Sequence, residues 1–166
     1  DEKVISALTE NENRLRALTL LNQKLSSHDT NLEINLKNYL EELVADLVFS
    51  LQNTRIENLQ INLKSEEENL DSEKALRLGL ITNELVTNSV KHAELNENLL
   101  DIKINLRSDK QYLNYIFEDN GINASENKIT KETEGLKLIA NMVKQLDGTF
   151  SQKLNGNYTF KAKIPK

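Results

Sequence analysis

Residues 3–27 contain neither glycine nor proline, and Val4, Leu8, Asn11, Leu15, Leu18, Asn22 and Leu25 recur at spacings of four and three throughout. A 3.5-residue period of this kind marks a helical stripe that is buried only against another helix, in a coiled coil or a bundle. Lone asparagines on such a stripe fix register and partner number. Ile5, Ala7, Ala17 and Leu21 widen the stripe beyond a two-stranded seam, which suits a four-helix bundle. The helix therefore needs a partner. The alternative is an ordinary helix packed on its own domain.

The stretch Ser26-Ser27-His28-Asp29-Thr30 predicts a short linker. A second amphipathic helix follows, with Leu36, Leu40, Leu43, Leu47 and Leu51 on one face beside Tyr39, Val44 and Val48. Leu59, Ile61 and Leu63 alternate with polar residues as in a strand, and an acidic turn, Glu66-Glu67-Glu68, leads to a helix over about 73–93 capped by Asp71 or Ser72. Leu100, Ile102, Ile104 and Leu106 predict another strand, and Tyr112–Glu118 the next. Residues 120–134 are polar and read as a loop, 136–146 as a helix, and the remainder as a hairpin turning at Asn155-Gly156. Strands paired in hairpins, beside rather than between the helices, predict an α+β two-layer sandwich preceded by one long helix.

With 166 residues and 38% hydrophobic content, the chain can build a core. No apolar run approaches the roughly 20 residues of a membrane helix, and no secretory pattern opens the chain. The absence of cysteine excludes disulfides, thiolate metal sites and cysteine nucleophiles. A net charge of −5 argues against a broad nucleic-acid surface, though a local basic pocket for phosphates fits. The expected location is cytoplasmic. Met142 is the only methionine and the chain starts at Asp1, so it is expected to be a piece of a longer protein whose upstream part could carry a membrane anchor.

The segment Asn83-Glu84-Leu85-Val86-Thr87-Asn88-Ser89-Val90-Lys91-His92-Ala93 carries the most chemistry. Glu84, Asn88 and Lys91 share one helix face, with His92 beside it. An amide carbonyl is a hard oxygen ligand for Mg²⁺, a lysine and an imidazole neutralise phosphates, and a carboxylate takes a proton from a nucleophile. Solvated helix faces also look like this. Asp119-Asn120-Gly121 ends a strand in an acid and a turn glycine, an arrangement able to accept the exocyclic amine of adenine. Gly135-Leu136 opens a helix, where backbone amides and the dipole favour phosphate.

In this order and spacing the three segments resemble the asparagine box and the two glycine boxes of sensor histidine kinases. That family shares the GHKL ATP-binding fold with DNA gyrase, heat-shock chaperones and MutL-type repair proteins. Leu76–Ile81 fits the subgroup whose phosphoacceptor box reads His-Arg-Val-Lys-Asn-Asn. The resemblance implies that residues 1–30 hold the second helix of a dimerisation hairpin and 31–166 the catalytic ATP-binding domain. It implies Asn88 as the Mg²⁺ ligand and Glu84 as the catalytic acid/base or water-positioning carboxylate. Lys91 and His92 would contact phosphates, Asp119 would receive the adenine amine, Gly121 and Gly135 would be hinges flanking a lid over 122–134, and Leu136 would join both glycines in binding the nucleotide. The cofactors would be ATP and Mg²⁺, and the partners a second copy of the chain and a response-regulator receiver domain. The γ-phosphoryl group would pass to a histidine that the chain lacks, since His28 and His92 have no acceptor-like context. Asn123, Arg77 and Asp147 replace residues common in the family: a second glycine, a proline and one glycine of a pair. Two other readings are a degenerate module that docks a response regulator without ATP and an anti-sigma-type serine kinase. The N-terminal bundle helix counts against the serine kinase.

Overall fold

A computed structural model describes residues 2–26, 33–51, 56, 58–66, 69–95, 98–122 and 134–166. Four helices, α1 (Glu2–Ser26), α2 (Leu36–Leu51), α3 (Ser72–His92) and α4 (Glu134–Gln145), accompany strands β1 (Glu33–Asn35), β2 (Asn58–Ser65), β3 (Asn69–Asp71), β4 (Leu99–Ser108), β5 (Tyr112–Asp119), β6 (Thr149–Asn155) and β7 (Asn157–Pro165). The main sheet runs β2-β4-β5-β7-β6, with β2 parallel to β4 and every other pair antiparallel. The alternation that predicts the strands also sets their faces. Leu100, Ile102, Ile104 and Leu106 on β4, Leu113, Tyr115 and Phe117 on β5, and Phe160, Ala162 and Ile164 on β7 are all buried, and one hydrophobic core joins them to α2, α3 and α4. The expected α+β two-layer architecture is present.

A second, two-stranded sheet pairs β1 with β3, setting Ile34 opposite Leu70. Each of these strands is three residues long with one buried side chain, too short to produce a readable alternation. Their neighbourhood reads as linker and acidic turn for that reason.

Helix α1 packs on α3, α2 and β1. Ala17 and Leu21 are buried there, and the Tyr39 hydroxyl of α2 donates to the Ala17 carbonyl at 3.2 Å. The stripe of fours and threes faces away from the chain: Val4, Leu8 and Leu15 are 55%, 63% and 61% exposed. Ala17 and Leu21, two of the residues that widen the stripe, dock α1 on its own domain, while Val4, Leu8 and Leu15 of the stripe stay open. Leu25 and the linker with His28 lie outside the described side chains. Among the described residues no helix is long and apolar enough to cross a membrane.

Two backbone positions explain residues that look out of place in the sequence. Gly79 lies inside α3 because Tyr39 fills the space a side chain would need: a Cβ there would overlap the phenol oxygen and stand 2.7 Å from Cε1. Asp147 ends α4 in the left-handed region at φ 52°. Gly148 N–H donates to Val143 O and Asp147 N–H to Lys144 O, both at 3.0 Å, which closes the helix in a Schellman motif. Thermal denaturation of both substitutions is expected to give opposite signs. Gly79→Ala should destabilise by about 2 kcal/mol through overpacking. Asp147→Gly should stabilise by about 0.5–1 kcal/mol, by relieving a left-handed non-glycine residue.

Candidate functional site

Helix α3 carries four of the eight predicted site residues, Glu84, Asn88, Lys91 and His92. Its N-cap is Asp71, whose carboxylate accepts from Lys74 N at 2.9 Å, and Glu73 lies in the first turn, paired with Arg77 at 2.6 Å. Lys91 and His92 occupy the last turn, where the dipole favours cations, and Ala93 N–H closes the helix on Ser89 O. Between these ends, every residue from Ile81 to Thr87 is buried. The Thr82 hydroxyl donates to Leu78 O at 2.9 Å and receives the hydroxyl proton of Tyr115 at 3.0 Å, which ties α3 to β5. Burial pushes the Tyr115 hydroxyl well above its ordinary range, so it remains a donor.

The structure brings Glu84, Asn88 and Gly135 together. A Cβ on Gly135 would stand 3.2 Å from Glu84 Oε2 and 3.3 Å from Asn88 Nδ2, so the first turn of α4 lies against the α3 face that carries both. Glu84 is 1% exposed, and Arg14 of α1 clasps it in a forked pair, Nε to Oε1 at 2.6 Å and Nη2 to Oε2 at 3.0 Å. A buried carboxylate is costly unless paired in this way, and removing one partner strands the other. Lys91 is half-buried one turn beyond Asn88, His92 is exposed, and Leu136 is half-buried against the core.

A second cluster sits at the end of β5, next along α3. The Ser89 hydroxyl donates to Asp119 Oδ2 at 2.5 Å, and Gly121 N–H donates to Oδ1 at 3.0 Å. A Cβ on Gly121 would stand 2.5 Å from Ala93 Cβ, so only glycine lets the chain turn this close to the end of α3. Asp119 is 5% exposed. Burial pushes its carboxyl above the ordinary value, partly offset by the hydrogen bonds from Ser89 and from the Gly121 and Tyr158 amides. Asn123 and most of the expected lid lie outside the described residues, with Ile122 and Glu134 at its edges. A polar cleft of about 290 Å³ near Asp71, Lys74, Arg77 and Gln145, at the opposite end of α3, contains none of the predicted site residues.

Sequence reasoning missed Arg14 and Ser89. Arg14 does carry a signal: with Ala17 and Leu21 it falls at spacings of three and four, a charge on an otherwise small or apolar face. Ser89 sits inside the recognised segment without an assigned role.

The histidine-kinase family model HisKA_2 matches residues 1–51, which span α1, β1 and α2. Among solved structures, the histidine kinase domain from the Erythrobacter litoralis EL346 blue-light activated histidine kinase matches with a TM-score of 0.81 at 19% identity, over 94% of this chain and 79% of that one. This is a histidine-kinase fold. The longer EL346 structure matches at TM-score 0.76 and 21% identity over 93% of this chain, which spans about half (53%) of that protein. The Acinetobacter baumannii histidine kinase AdeS matches at TM-score 0.63 and 20% identity, over 98% and 79% of the two chains. No curated protein sequence matches. The resemblance to sensor histidine kinases, read first from three short segments, is supported by the family model and the fold.

The raised Asp119 carboxyl has a definite sign in stability. A carboxyl whose folded value lies above its ordinary 3.8 binds its proton more tightly when folded, so its contribution is full below 3.8 and lost as pH rises through the folded value. The melting temperature of the wild type relative to Asp119→Asn is expected to increase as pH falls from neutrality toward about 4. A constant difference across paired melts would contradict this.

Proposed function

We propose that the chain is the ATP-binding kinase core of a sensor histidine kinase, residues 31–166 forming the catalytic domain and 1–30 the second helix of the dimerisation hairpin. The observation that carries the reading is the meeting of Glu84, Asn88 and the Gly135 backbone in one cradle, with Asp119 of β5 buried against Ser89, the residue that follows Asn88. Asn88 supplies an amide oxygen beside the first turn of α4, where backbone amides and the helix dipole favour phosphate. Among the described residues no three acidic or histidine side chains gather around a metal. This donor set suits Mg²⁺, which keeps its waters and binds through nucleotide phosphates and one or two protein oxygens.

When bound, Mg²⁺·ATP supplies the transferable γ-phosphoryl group and offsets its charge. Asn88 orients the metal end of the nucleotide, and Lys91 and His92 balance phosphate charge from the last turn of α3. Asp119 accepts the adenine amine, held in place by Ser89 and the Gly121 amide. Gly121, Gly135 and Leu136 would contact the nucleotide. Glu84 takes the proton of the attacking group. Catalysis of this kind is chiefly positioning and charge neutralisation. The phosphoryl group passes to a histidine outside this chain and then to an aspartate of a response-regulator receiver domain. The match of residues 1–51 to a histidine-kinase family model favours this reading over an anti-sigma-type serine kinase.

Titration with Mg²⁺ and a non-hydrolysable ATP analogue tests the assignment. The wild type should bind, and Asn88→Ala and Asp119→Ala should each weaken binding by about tenfold or more, the worth of one charge-assisted contact. Unchanged binding by both variants would refute the roles.

The partner for the open stripe of α1 is a second copy of this chain. Sedimentation equilibrium is expected to show a concentration-dependent dimer, weakened by Leu8→Gln with Leu15→Gln. A monomer at the highest concentrations would count against pairing through this helix.

A further inference from the structure

Both oxygens of Glu84 are occupied by an arginine from another element. The pair joins residues 70 positions apart, with the carboxylate side chain 2% exposed and the guanidinium 32% exposed. One end is therefore sealed and the other reaches solvent. Oε2, which accepts from Nη2 at 3.0 Å, also lies 3.2 Å from the Cβ position of Gly135. The guanidinium thus sits at the rim of the cradle that Asn88 and the start of α4 form.

The base of this side chain is fixed, and its end suits a second anion as well as Glu84. The α1 backbone is pinned one turn on, where Tyr39 holds the Ala17 carbonyl and Ala17 and Leu21 are buried. A guanidinium matches phosphate oxygens with the same forked geometry it uses on a carboxylate. Both oxygens of Glu84 already accept from Arg14, so a substrate group reaches the carboxylate only when this pair opens.

We propose that Arg14 is a phosphate ligand supplied by α1, held on Glu84 when no nucleotide is bound and transferred to the γ-phosphate when ATP arrives. The exchange replaces one forked anion with another and leaves Glu84 uncovered only when the phosphoryl group is in place. Asn83 Nδ2, 3.4 Å from Oε1, remains beside the released carboxylate. The inference rests on the nucleotide-binding reading above.

The test compares the affinities of Mg²⁺ with ADP and Mg²⁺ with a non-hydrolysable ATP analogue, measured calorimetrically on this chain. Arg14→Gln should lose about tenfold in affinity for the triphosphate and change ADP affinity by less than about twofold, with Arg14→Lys intermediate. Glu84→Gln removes the competing anion, so it should tighten the triphosphate more than ADP, and that selective gain should vanish when Arg14→Gln is added. Equal losses for both nucleotides, or a tighter triphosphate in Arg14→Gln, would show that Arg14 only braces Glu84 and would overturn the proposal. If Arg14→Gln fails to fold, the absence of a selective gain in Glu84→Gln overturns it equally. Wild-type protein that binds neither nucleotide would remove the ATP reading and this inference together, whereas lost selectivity alone leaves the ATP reading intact.

Discussion

Helix α3 is buried all round from Ile81 to Thr87, and the rest of the structure is arranged by what touches it. Tyr39 of α2 fills the gap at Gly79, Tyr115 of β5 reaches Thr82, Arg14 of α1 takes Glu84, and α4 begins against Glu84 and Asn88. Asp119 at the end of β5 takes Ser89. One helix thus fixes where four other elements can lie. An all-round buried helix is normally apolar. This one buries Thr82, Asn83, Glu84, Thr87 and Ser89, and among the described residues Asn83 Oδ1 and Thr87 Oγ1 lack a hydrogen-bond partner. Each such orphan costs about 1–3 kcal/mol. A chain selected only for stability would carry apolar groups there, so the polar turn is best understood as a site whose cost the surrounding packing offsets.

What the sequence makes legible is what is local. The alternation in β4, β5 and β7, the leucine face of α2 and the ends of α3 each depend on neighbours within a turn or two, and the buried residues follow that periodicity. The asparagine-box segment is legible for the same reason, because its polar residues share one helix face. The short sheet of β1 and β3 is not, since two three-residue strands have no period to detect. Arg14 is obscured differently. Its partner lies 70 residues away, and in the sequence it is one more charge in a helix that carries several. Gly79 and Asp147 appear as departures from expectation until the structure supplies Tyr39 and the end of α4.

The two faces of α1 act in different places. Ala17, Leu21 and Arg14 face the domain, two by burial and one by charge, while Val4, Leu8 and Leu15 face outward with their apolar area uncovered. A partner that covers the outward stripe contributes apolar burial worth about 25 cal/mol per Å². The pair between Arg14 and Glu84 is short and forked, so it tolerates little change in the position of α1. The Tyr39 bond to the Ala17 carbonyl and the burial of Ala17 and Leu21 hold the helix in place beside that pair. One helix thus carries both an open apolar stripe and the arginine that covers the candidate base.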